Sequence, residues 1–236
     1  MSVSIQPPPP TAPKKKSGLG CLGCGCGALV LIVVLLIGFF GLGCYGLYKE
    51  ALSVTSTTPT DVPGFTGAPD TYNSAAQKVT AFEQDLKDHK SSSLHLSGDE
   101  INALIVNSPA TAQNNSHVFV TLTGNDARIQ ACLPTDKLSR GALTGRYMSF
   151  DSTFSVAFDI STRSLLLTPH ALQIGPNVFM GPDATEAQNQ QASRFLLPFF
   201  SPYVNLGLRN NPDAAKILDH ARNIEVKDGE LVIETD

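Results

Sequence analysis

Two sets of side chains in this chain have the types and spacing that chemistry uses, Cys21-x-x-Cys24-x-Cys26 and the lone downstream thiol Cys132. Tetrahedral zinc takes four ligands, whereas the first set offers three thiols interleaved with glycine beside an apolar run. With Gly20, Gly23 and Gly27, these small residues suit close helix packing, and acylation or redox modification is their alternative use. Strand alternation places Cys132 on one face with Arg128 and Gln130, opposite Ile129 and Ala131, so the thiol is expected to be less buried than most free cysteines. A guanidinium neighbour favours thiolate, but no histidine lies near in sequence to serve as a base. Asp99-Glu100 opens a helical pattern, where carboxylates cap and complement the dipole. Histidines 89, 95, 117, 170 and 220 fall one per element, without ligand spacing. Neither G-x-S-x-G, H-E-x-x-H, a phosphate-cradling glycine loop nor a calcium loop occurs after residue 48. The expectation is no catalytic residue, no metal and no cofactor.

What would position any of these groups is decided first by residues 17–48, which contain no acidic or basic side chain, after Lys14-Lys15-Lys16 and before Lys49-Glu50. At about 1.5 Å rise per residue, the apolar part from Gly27 to Leu47 covers roughly 30 Å, a bilayer's hydrocarbon thickness. A cleaved signal peptide has a shorter apolar region, and Gly41-Leu42-Gly43-Cys44 carries glycine where lipoprotein sites usually carry an aliphatic residue. Three lysines before the run and one after it predict a cytoplasmic N-terminus and a C-terminal domain outside the cytoplasm, on a single-pass anchor in the cell membrane.

Charge divides the same way. The chain has 17 Lys+Arg and 21 Asp+Glu, of which residues 1–50 hold four lysines and one glutamate. The remainder therefore carries 13 basic and 20 acidic side chains, a net −7 that argues against nucleic acid as a partner. Four of five cysteines lie at 21–44, so the exported part cannot form an internal disulfide and must rely on its core.

Four regions follow: a Pro/Lys-rich cytoplasmic tail at 1–17, a transmembrane helix at 18–48, a flexible tether at 49–70 and an extracytoplasmic domain at 71–236. Between Ala51 and Asp70, twelve of twenty residues are Ser, Thr, Pro or Gly, which is the basis for the tether. Tyr72, Ala75, Ala76, Val79, Phe82 and Leu86 then form one helical stripe. Leu94 and Leu96 mark a short strand, and Ser97-Gly98-Asp99-Glu100 has capping-box spacing ahead of Ile101, Leu104 and Ile105.

The middle of the chain alternates with period two. Strands at 117–123 and 127–133 flank Gly124-Asn125-Asp126, a hairpin signal. Residues 146–160 alternate throughout, with Met148, Phe150, Phe154, Val156, Phe158 and Ile160 on the inward side; fifteen residues at about 3.3 Å make a strand near 50 Å, expected to curl. Its partner at 165–174 changes phase near Pro169, which predicts a bulge. Helical pattern returns near Thr185, with Pro198 and Pro202 expected to kink or break it, and Asp228-Gly229 predicts a closing hairpin. The fold class expected is α+β: an N-terminal transmembrane helix, then a curled antiparallel sheet packed against helices.

The overlong strand and a helical segment apolar on two sides together suggest an apolar groove lined by Phe154, Phe158, Leu196, Phe199 and Phe200. On that basis the domain is expected to be a non-enzymatic binding module for a lipid or other apolar ligand. The alternative is a scaffold or assembly protein of an envelope complex, with envelope proteins as partners and no small ligand. The composition fixes no oligomeric state.

The run Lys14-Lys15-Lys16-Ser17-Gly18-Leu19-Gly20-Cys21-Leu22-Gly23-Cys24-Gly25-Cys26, the stretch Leu96-Ser97-Gly98-Asp99-Glu100-Ile101-Asn102-Ala103-Leu104-Ile105 and the later Gly145-Arg146-Tyr147-Met148 resemble single-pass membrane-anchored envelope proteins of the Verrucomicrobia and Planctomycetes type. More distantly the chain is similar to YpmS-like proteins. The resemblance implies a compartment, the cell envelope, and neither an activity nor functional residues.

Overall fold

In the computed structural model, which describes residues 54–108, 117–136, 143–195 and 197–236, the stripe from Tyr72 to Leu86 becomes helix α1, Pro69–Lys87. Pro69 opens it where a missing N–H costs nothing, and Ala75, Val79, Phe82 and Leu86 are buried along one side. Strand β2, Ser93–Ser97, buries Leu94 and Leu96 and runs straight into α2, Gly98–Val106. The expected capping box closes that junction: Ser97 Oγ accepts from the Glu100 N–H at 3.2 Å, and Glu100 Oε2 accepts from the Ser97 N–H at 3.0 Å. The expected tail at 1–17 and transmembrane helix at 18–48 lie outside the described residues. Among those described, no helix is long and apolar enough to cross a membrane.

The remaining elements are β3 (His117–Thr123), β4 (Asp126–Pro134), β5 (Tyr147–Asp159), β6 (Ser164–Ile174), β7 (Asn177–Met180), α3 (Glu186–Phe195), α4 (Leu197–Arg209), α5 (Pro212–His220), β8 (Ala221–Lys227) and β9 (Glu230–Thr235). The fold is α+β with antiparallel pairing throughout. One sheet runs in the order β3-β4-β5-β6-β7, with the two-residue strand β1 (Thr55–Ser56) added beside β5; the other is β2-β9-β8.

This arrangement corrects the expectation of a single strongly curled sheet. The larger sheet is open, ending at β3 and β7. The length of β5 is taken up instead by a succession of partners. β4 pairs along Tyr147–Ser155, β6 along Phe150–Asp159, and β1 at Met148 and Tyr147 where β6 has ended. Ile160, expected on the inward side, lies past the strand end and is 52% exposed.

The bulge stands where the phase slip placed it. Thr153 pairs with Ala171 and Phe154 with Pro169, so His170 is the extra residue. Buried Ser152 donates its Oγ hydrogen to the Ala171 carbonyl at 2.9 Å, satisfying an acceptor that the broken ladder frees. Asp228 (φ 52) and Gly229 (φ 81) both adopt the left-handed backbone that a type I′ turn needs, and Val226 pairs with Leu231 as the sequence predicts. The apolar helical segment is helical on both sides of residue 196, as α3 and α4, with Pro202 inside α4.

Within the segment expected to be a flexible tether, Thr55 and Ser56 join the sheet. Val54 and Thr55 are buried, and Arg146 reaches across to donate from Nε to Thr55 Oγ1 and from Nη2 to the Thr55 carbonyl, both at 2.7 Å. Gly175 (φ 58) makes this approach possible, because a Cβ there would run into the Val54 carbonyl. A strand of two residues leaves no periodicity in a Ser/Thr/Pro-rich sequence.

Candidate functional site

The apolar faces of the two sheets meet across a cavity of about 80 Å³. Ala127 and Phe154 on the larger sheet, Ile224 and Ile233 on the smaller one, and Leu104 and Ile217 from α2 and α5 are among its walls, all of them apolar. Ligand pockets for drug-sized molecules typically measure about 300–1,000 Å³. This space is smaller than those and lies within the core.

Of the residues expected to line a groove, Phe154 and Phe158 have described side chains. Phe154 lines the cavity but is itself buried at 3% exposure, paired with Ala127. Phe158 is half-buried against the core and is not part of the wall. Phe199 and Phe200 lie in α4, and Leu196 lies outside the described residues.

Polar chemistry concentrates on the sheet edges and on one junction. Asn102, 1% exposed, donates from Nδ2 to the Val120 carbonyl and accepts from the Val120 N–H, both at 2.8 Å, on the outer edge of β3. Asn205 on α4 does the same to Leu165 of β6, at 2.8 and 2.7 Å, beside Ser201, whose Oγ accepts from the Leu167 N–H at 2.9 Å. On β7, Gln188 of α3 donates to the Val178 carbonyl at 2.9 Å, and Asn189 accepts from the Gly181 N–H at 3.1 Å. The turn after β8 finishes β3, with the Gly229 N–H donating to the Gly124 carbonyl at 2.9 Å. Helix-borne amides thus take backbone groups that an edge strand would otherwise offer to another chain.

Glu100 combines capping with an ion pair. Lys78 of α1 lies 2.7 Å from its Oε1, and Ser74 Oγ donates to the same oxygen at 3.4 Å. Burial raises the Glu100 pKa, but the Lys78 and Ser97 hydrogen bonds outweigh it and leave the carboxyl below the ordinary carboxylate value.

The outer face of the larger sheet carries Arg128, which grips Asp151 with two bonds of 2.9 and 2.6 Å while Gln130 donates to the same carboxylate at 3.1 Å. Cys132 shares that face as expected, yet the expectation that it is accessible is wrong. It is 1% exposed, burial raises its thiol pKa, and the Thr60 backbone N–H is directed at it. The covering chain comes from far away in sequence, which strand alternation cannot register. Arg128 is committed to Asp151 and does not activate the thiol.

Among the described residues no group of three or more His, Cys, Asp or Glu could hold a metal ion. The histidines pair locally: His95 Nδ1 lies 3.2 Å from Glu230, His170 Nε2 lies 3.4 Å from Asp126, and the His89 and His220 rings are 6.1 Å apart. Sequence reading passed over Asn102 and Asn205 because an asparagine within a helical stripe resembles any polar interruption. A mid-helix asparagine facing an edge strand is the signal that could have found them.

The chain matches no protein-family model, no curated protein and no solved structure.

Proposed function

We propose that this protein is a non-enzymatic assembly module of the cell envelope, held by a single membrane span at 18–48 and recognising a protein partner through its side-chain surfaces. The 80 Å³ cavity carries this reading, because an acyl chain asks for much more room than the described core leaves between Ala127, Phe154 and Ile224. The amide-capped edges support it further, since recognition by strand addition needs open backbone groups. Exposed polar groups such as the Arg128–Asp151 pair remain as recognition elements, and the acidic balance after residue 50 directs them away from phosphate-rich partners.

The span is supported by 32 consecutive residues without an ionisable acid or base between two lysine-bearing flanks. Carbonate washing should leave the chain in the membrane, and protease added outside the membrane should digest the part after residue 53. Native mass spectrometry after mild detergent exchange should return the bare polypeptide mass. A stoichiometric apolar adduct would restore the lipid-binding reading with Phe154 and Phe158 at its site.

A further inference from the structure

Between Tyr48, the last residue of the uncharged run, and Val54, the first described residue and one buried against the sheet, stand only five residues. Extended backbone spans about 3.5 Å per residue, so Val54 cannot lie more than roughly 20 Å from the end of that run. Val54 is fixed in place by three separate features: the pairing of Thr55 and Ser56 with Met148 and Tyr147, the double hydrogen bond from Arg146 to Thr55, and the glycine at 175 that admits the Val54 backbone. The N–H of Thr60 directed at Cys132 continues the attachment along the sheet. Freed from the sheet, residues 54–68 would add up to roughly 50 Å of reach.

We propose that β1 is a strap that holds the domain against the bilayer in one orientation, with the turn at Gly175 and the start of β5 toward the membrane and the β5–β6 turn away from it. This rests on residues 18–48 being the membrane span. From Tyr147 to Asp159 the strand covers about 40 Å, so the two ends of the domain lie at clearly different heights. The partner is accordingly resident in or on the same membrane, because the strap denies the domain the reach of a 20-residue tether.

The chain has no tryptophan, so one introduced residue reports its own position. Full-length Pro176→Trp and Thr162→Trp variants in vesicles carrying a dansyl-labelled headgroup lipid should differ severalfold in energy transfer, with Pro176→Trp the stronger. Inserting ten Gly/Ser residues after Lys49, or releasing the strap with Gly175→Val, should remove most of that difference. Equal transfer from both positions in carbonate-resistant protein, or stronger transfer from Thr162→Trp, would overturn the strap. Release of the chain by carbonate would instead overturn the span on which it rests.

Discussion

Asn102 on α2 and Val120 on β3 exchange two hydrogen bonds, the side-chain amide standing in for the peptide group of a neighbouring strand. Asn205 and Leu165 repeat the arrangement on β6. A helix cannot itself extend a sheet, but one asparagine in the right turn pairs with an edge residue and ends the ladder.

Truncating the first of these amides should be costly. Asn102→Ala leaves the Val120 N–H and carbonyl buried without that partner, worth about 3 kcal/mol, or a fall near 10 °C in Tm for a domain of this size. Asn205→Ala should cost less, because Ser201 still holds Leu167 on the same edge. Thermal unfolding of the two variants and their double mutant tests both values and their additivity.

Glu100 predicts a pH dependence with a definite sign. Its folded pKa lies below the ordinary value, so its stabilising effect is complete above the unfolded carboxylate pKa of about 4.3 and is lost as pH falls through the folded value. Glu100→Gln should therefore be less stable than the parent by about 1 kcal/mol at pH 7, since the Lys78 ammonium is partly solvated, and the gap should close as pH falls through the lowered folded value. Tm measured against pH for the two proteins decides it; a constant gap would mean that capping geometry, not charge, is what the substitution removes.

Cys132 should resist alkylation in the folded protein. Burial and a raised thiol pKa both suppress thiolate at the surface, and modification on the order of a hundredfold slower than in denaturant is expected. Mass spectrometry of the peptide containing Cys132 separates this thiol from the four near the N-terminus.

The cavity offers a gain. Ala127 lines it from a strand, where a β-branched residue is favoured, so Ala127→Val should fill part of the 80 Å³ and raise stability by about 1 kcal/mol. A lower Tm would show that the walls are already too close for two added methyl groups.

Much of the fold was legible because its signals are local. The Ala75–Leu86 stripe, the Ser97–Glu100 box, the Asp228-Gly229 turn and the bulge beside Pro169 each depend on residues within one or two turns of chain. What was not legible depends on distant chain. Alternation assigned Cys132 to the correct face, but the Thr60 N–H reaches the thiol from distant chain. The length of β5 was plain, yet successive pairing with β4, β6 and β1 absorbs it in place of curvature. Of the groove residues, Phe154 is buried and pairs with Ala127, a neighbour that its own stretch of sequence does not reveal.

In the smaller sheet the strand farthest along the chain is the central one, for β9 lies between β2 and β8 and joins Leu94 to Ile233 across some 140 positions. Until Glu230–Thr235 is available, β2 has no ladder. The smaller sheet is thus completed only by residues 230–235, and a chain cut short before Glu230 should present an unfinished, sticky body to proteases.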